Sequence, residues 1–109
     1  MGTTSASEQL QQLVSGAHVV KAFNTIGAPL LGNATFDDLQ ADGYYCGDDS
    51  AAKSAVAPLI AAAGLRPFDA GPLRNARYLE AMAMLWIDLA IKRGRGPSFG
   101  FRTLERTAT

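Results

Sequence analysis

Sulfur and imidazole chemistry are nearly absent from this chain: its 109 residues include a single cysteine, Cys46, and a single histidine, His18. One thiol forms no internal disulfide and no cysteine-based metal cluster, so Cys46 reads as a buried, inert side chain. His18 precedes an apolar run and has no serine or cysteine nucleophile set around it by motif. It reads as a satisfied structural histidine, since a general base needs a positioned partner. Charge is sparse and balanced, with 10 Lys+Arg against 10 Asp+Glu and a formal net charge of +0. No global field is present to draw in nucleic acid or an anionic membrane surface. Long hydrophobic runs are missing too. The longest, Ala55 to Gly64, is too short for a bilayer, and Met1 to Leu13 lacks a basic segment followed by an apolar core. These absences predict a cytoplasmic address with neither nucleic acid nor membrane as partner. Nor does any G-x-G-x-x-G stand before the first expected strand. Gly94-x-Gly96 follows a helix and precedes Pro97, the wrong context for a phosphate-binding loop.

What the chain does have is small apolar residues. At 48% hydrophobic and 18% charged, it is richer in apolar and poorer in charged residues than an average soluble domain, which suggests surface meant to be covered. Its length fits one domain. We divide it into a polar segment with a short helix (1–16), an α/β domain (17–94) and a tail (95–109). Glu8 to Val14 carries Leu10, Leu13 and Val14 as one stripe and ends at Ser15-Gly16. Ala17 to Phe23 reads as a strand buried on both faces of a parallel sheet, ending at Asn24 and Thr25. From Gly27 to Gly43 the breakers, Asp42 and Gly43 among them, predict an excursion with a helical turn at Ala28 to Leu31.

Tyr44 to Gly47 reads as a second strand, and Asp49 or Ser50 as the cap of a helix over Ala51 to Ala63. Pro58 removes one hydrogen bond from that helix and predicts a local distortion, not two helices. Leu65 to Asp69 reads as a third strand, followed by the turn Ala70-Gly71-Pro72 and a helix from about Arg74 to Arg93 stopped by Gly94. Leu79, Met82, Ala83, Trp86, Leu89 and Ala90 recur at helical spacing. The overlapping stripe Tyr78, Met82, Trp86, Leu89 reads as core or subunit interface. In the tail, Phe99 and Phe101 alternate, predicting packing or an edge strand. The order of elements is that of an α/β protein with helices covering a sheet of about three main strands.

Three motifs in sequence order, Val19 to Ala28 (VVKAFNTIGA), Cys46 to Asp49 (CGDD) and Gly64 to Arg77 (GLRPFDAGPLRNAR), resemble the carboxyl-terminal half of the NADPH-dependent deazaflavin-coenzyme reductases. These predicted dinucleotide-binding oxidoreductases are also similar to the cytosolic domain of six-transmembrane ferric reductases. The resemblance runs from about Ala17 to Leu104. It implies a Rossmann-like, doubly wound sheet, and a chain truncated relative to the family, whose Gly-rich half seats the pyrophosphate on a helix N-terminus. It also implies that Asn24, Thr25, Ile26, Gly27 and Ala28 lie beside the nicotinamide and the deazaflavin or flavin ring. Gly71 and Pro72 would form the family turn before the last long helix. For each set a plain structural role stands beside the functional one: strand end for Asn24 and Thr25, turn geometry for Gly71 and Pro72.

Arg74, Asn75 and Arg77 are placed to meet an anionic group at a helix N-terminus, or to cap and solvate it. Cys46 to Asp49 reads as strand end and helix cap, and no metal site is expected. No catalytic acid or base is assigned, because hydride moves between two cofactor rings that the protein only positions. The expected function is therefore the carboxyl-terminal portion of an NADP-dependent oxidoreductase acting with a deazaflavin or flavin, inactive alone. The alternative is a stand-alone small-ligand-binding or dimerisation module without enzymatic activity, and binding of no cofactor by this chain stays open. Uncovered apolar faces and a free sheet edge predict a homodimer, with the last helix and strand edge in contact and elements open to exchange, or pairing with a missing amino-terminal half.

Overall fold

The computed structural model describes residues 3–22, 35–36 and 39–106; the statements below concern those residues. The chain opens with α1 (Ala6–Leu13), capped by Ser5, whose hydroxyl accepts from the Glu8 amide and donates to its carboxylate. This is a variant of the capping box, Ser followed three residues later by Glu. α1 is followed by β1 (Val20–Lys21), the short hairpin β2 (Thr35–Phe36) and β3 (Leu39–Gln40), then β4 (Asp42–Gly47), α2 (Ser50–Ala62) and β5 (Arg66–Asp69). A 3₁₀ turn over Leu73–Asn75 leads into α3 (Ala76–Ile87), which loosens into a π turn at Asp88–Lys92. The expected helix from Arg74 to Arg93 thus has the anticipated extent but three backbone geometries.

β4 is the centre of the molecule, flanked by β1 and β5. Its alternation of side chains builds two cores. On one face Ile60 of α2 packs with Ala41 and Leu65, joined by Tyr45 and Val56. On the other, Tyr44 and Cys46 meet Ala76 and Leu79, with Phe68, Met82 and Phe101 around them. Helices therefore cover both faces of one sheet, the doubly wound arrangement. β5 pairs parallel to β4, Asp42 opposite Arg66 and Tyr45 opposite Asp69, with α2 as the crossover.

Two expectations are corrected. The run Ala17 to Phe23 contributes only Val20–Lys21 to the sheet, and these pair antiparallel with β4, Val20 opposite Gly47. Apolar composition reports burial but not strand direction, and here both strand residues are only half-buried at the sheet edge. The residues before β1 are held by Gln11 of α1, which donates to the Ala17 carbonyl and accepts from the Val19 amide, both at 2.7 Å. Secondly, Asp42 and Gly43 are not loop breakers: they open β4 and are buried. Gly43 is required by close approach, since a Cβ there would sit 2.4 Å from Ile60 Cγ2. His18 is exposed, its ring 3.9 Å from the Asp49 carboxylate and 66% accessible. The helical turn expected at Ala28 to Leu31 lies outside the described residues.

The tail packs without forming a strand. The Asp42 amide donates to the Phe101 carbonyl at 2.8 Å. The Asp42 carboxylate receives Arg66 through both Nε and Nη2 as well as the Thr103 amide at 2.7 Å, while Arg66 Nη2 also donates to the Thr103 carbonyl. Trp86 donates to the Phe99 carbonyl and stacks on its ring, centroids 5.0 Å apart. α2 runs as one helix through Pro58.

Candidate functional site

Parallel strands deliver their carboxyl ends to the same edge of a sheet, where α/β proteins bind ligands. At this edge β4 runs into Asp48 and Asp49, and β5 into Asp69, Ala70, Gly71 and Pro72. Asp49 caps α2, accepting from the Ala52 amide at 2.8 Å. Asp48 turns the other way and accepts from the Leu73 amide at 2.9 Å. Adjacent carboxylates thus take two structural duties, as expected of a strand end and helix cap.

The turn after β5 is held from every side. Asp69 Oδ1 accepts from the Gly71 amide at 2.8 Å and pairs with Lys53 Nζ at 2.8 Å. The Gly71 carbonyl accepts from the Gly47 amide and from Lys53 Nζ, each at 3.1 Å. The Ala70 amide donates to the Tyr45 carbonyl, and the Asn75 side chain donates to the Ala70 carbonyl, both at 2.7 Å. Gly71 takes φ +99°, a conformation costly for any residue with a Cβ, and Pro72 is extended. Partial burial pushes the Asp69 carboxyl up, but Lys53 and the Gly71 amide outweigh it and hold it below the usual carboxylate range.

This accounting bears on what the turn can hold. The Gly71 and Leu73 amides, which would face a phosphate at a helix start, are already bonded to Asp69 and Asp48. Three carboxylates, Asp48, Asp49 and Asp69, lie at this edge with Lys53 committed among them. A pyrophosphate does not fit such a surface.

Of the sequence-derived site residues, Gly71 and Pro72 are here, whereas Asn24, Thr25, Ile26, Gly27 and Ala28 lie outside the described residues. β1 begins beside the end of β4, Val20 opposite Gly47, and runs antiparallel to it, away from this edge. The polar residues of the last helix take structural roles: Arg77 forms a two-pronged pair with Glu8, 2.8 and 2.9 Å, and Asn75 closes the turn. Arg74 is exposed at the rim of a cleft of about 300 Å³ between α1 and the turn, bordered also by Glu8, Gln12, Asp48 and Pro72. Lys53 went unrecognised in the sequence. It is the only charged residue within α2. Cys46 is fully buried and burial pushes its thiol up to about 11, as expected of an inert side chain. No helix among the described residues is long and apolar enough to cross a membrane.

The fold is that of a Rossmann-like α/β protein, with helices on both faces of the sheet and a braced turn at its carboxyl edge. The particular relatives agree. The chain is 39% identical over 80 residues to metalloreductase STEAP3 of Rattus norvegicus, an alignment covering 73% of this chain and 16% of that protein. Its structure superposes on a protein of Arthrobacter sp. FB24 described as an F420-dependent NADP reductase, with a TM-score of 0.85 and 30% identity, covering 96% of this chain and 48% of the other. The chain therefore spans about half the length of one relative and a sixth of the other. No protein-family profile matches it. Both relatives carry oxidoreductase names, and the chain resembles the family that its three motifs indicate.

Proposed function

We propose that this chain is the ring-facing portion of an NADP-dependent oxidoreductase that passes hydride between NADP(H) and a deazaflavin or flavin. The phosphate-gripping, Gly-rich portion is supplied by sequence outside these 109 residues. The observation that carries this reading is the turn Asp69 to Leu73, pinned by β4, α2 and its own side chains, with no spare amide for a phosphate and a glycine-proline floor for a ring. Hydride exchange is the cofactors' own chemistry; the chain's part is to fix orientation and exclude water. Asn24 to Ala28 and Gly71-Pro72 are the residues we assign to ring contact, and none to proton transfer. Alone, the chain does not turn over, because the fingerprint half supplies most of the dinucleotide affinity in such folds.

Calorimetric titration with NADPH tests this division of labour, comparing the chain alone with the chain fused behind the Gly-rich half of the Arthrobacter reductase. The expected result is saturable binding by the fusion and none by the chain. Micromolar binding by the isolated chain would overturn the division, and a folded fusion that binds no NADPH would overturn the reductase reading.

A further inference from the structure

Lys53 stands against two local preferences. Its amide closes the first turn of α2, donating to the Asp49 carbonyl at 3.0 Å, and a cation there opposes the positive end of the helix dipole. Lysine on a helix ordinarily sends its ammonium to water, yet this side chain is only 15% exposed. Its stem crosses Gly47 so closely that a Cβ at that glycine would stand 3.3 Å from Lys53 Cγ. A residue that breaks local rules is retained for a task elsewhere. The task shows in where Nζ ends: on Asp69 Oδ1 at 2.8 Å and on the Gly71 carbonyl at 3.1 Å, the two ends of one tight turn.

We propose that Lys53 is the positioning residue of the ring site, fixing the Gly71-Pro72 peptide against β4 so that the rate of the hydride step, and not the affinity for NADPH, depends on it. This inference rests on the reductase reading above. The Gly71 carbonyl belongs to the peptide plane that carries the Pro72 ring. Two donors converge on its oxygen, the Gly47 amide from the strand and Lys53 Nζ from the helix, each at 3.1 Å. A carbonyl held by one donor can pivot about that bond; held by two from different elements, its plane is set. Asp69 completes the clamp, because the oxygen that meets Nζ also accepts from the Gly71 amide at 2.8 Å. Lys53 thus acts through Gly71 and Asp69, and needs no contact with a ring to govern how a ring lies. Displacing a reactant by about 1 Å costs on the order of a hundredfold in rate, which is the scale of effect such a brace controls.

The brace and its effect on rate are tested separately. In the full chain, Lys53→Met keeps the stem and removes the ammonium; amide hydrogen exchange at Gly47 and Gly71 then quickens by about tenfold while the amides of α3 keep their rates. Unchanged exchange at Gly71 would overturn the proposal whatever becomes of the reductase reading. In the fusion with the Gly-rich half of the Arthrobacter reductase, Lys53→Met lowers kcat for NADPH oxidation by about tenfold to a hundredfold, with the Kd for NADPH within about threefold of the parent. An unchanged kcat, or a loss confined to Kd, would overturn the positioning role; a folded parent fusion without turnover would instead overturn the reductase reading on which it rests. Lys53→Cys in the fusion shows the same defect, and 2-bromoethylamine repairs it: the thiolate displaces bromide and restores an ammonium at nearly the original reach. Cys46 is spared, being fully buried with its thiol pushed up to about 11. Recovery of kcat in a protein that is already folded is the expected result, and a kcat that stays low after modification verified by mass would contradict the proposal.

Discussion

Asp42 shows how one carboxylate can decide the position of a whole segment. Its side chain is fully buried, and burial alone would push its acidity down. Arg66 and the Thr103 amide outweigh that, so its pKa lies below the ordinary carboxylate value. A lowered folded-state pKa means stability that is present above the unfolded value of about 4 and is lost as pH falls through the folded one. Acidification from pH 5 towards 2 should therefore release the tail, which Trp86 fluorescence reports through its stack on Phe99; an acid-insensitive signal would contradict this. Asp42→Asn leaves Arg66 without its counter-charge. Because Arg66 is a third exposed, water relieves part of the loss, and we expect about 2 to 3 kcal/mol of destabilisation in urea unfolding, at or just below the lower end of the range of about 3 to 5 kcal/mol for broken buried pairs. Cys46 gives a second check at this scale. With a pKa near 11 and no exposure, it should resist a thiol reagent at pH 8 in the native protein and react promptly in denaturant.

Among the elements, periodicity made the helices legible. α1, α2 and the last helix fall close to their expected bounds because apolar spacing and caps such as Asp49 and Gly94 are local signals. The sheet was less legible. β4 and β5 were foreseen, but its edge was misread: the direction of β1 depends on its neighbours, and an apolar run carries no record of them. Asp42 and Gly43 were misread for a related reason. Each is a turn residue by local preference, yet Asp42 is retained by a partner 24 positions away, Arg66, and Gly43 by the proximity of α2. Gly43→Ala tests that proximity. Its methyl would overlap Ile60 Cγ2 and touch Leu65, so we expect a loss of about 1 to 3 kcal/mol by thermal or urea denaturation, the usual cost of overpacking. A neutral result would mean that α2 can move away from β4 freely. Of the candidate site, the turn Asp69 to Pro72 was visible through its glycine and proline. Lys53, which braces it, was not, because no local pattern links an interior helix position to a turn 18 residues on.

For the molecule as a whole, the question is what a three-stranded sheet with helices on both faces can do. The chain keeps a two-faced sheet and a braced turn at its carboxyl edge, and it resembles reductases several times or twice its length. Steady-state NADPH oxidation by the fused chain, with a deazaflavin or flavin as acceptor, tests the central claim most directly when Thr25→Ala is compared with the parent fusion. A residue that orients rings without gripping phosphate should, on replacement, lower kcat by about tenfold to a hundredfold while the Kd for NADPH stays within about threefold. An unchanged kcat, or a loss confined to NADPH affinity, would contradict the account.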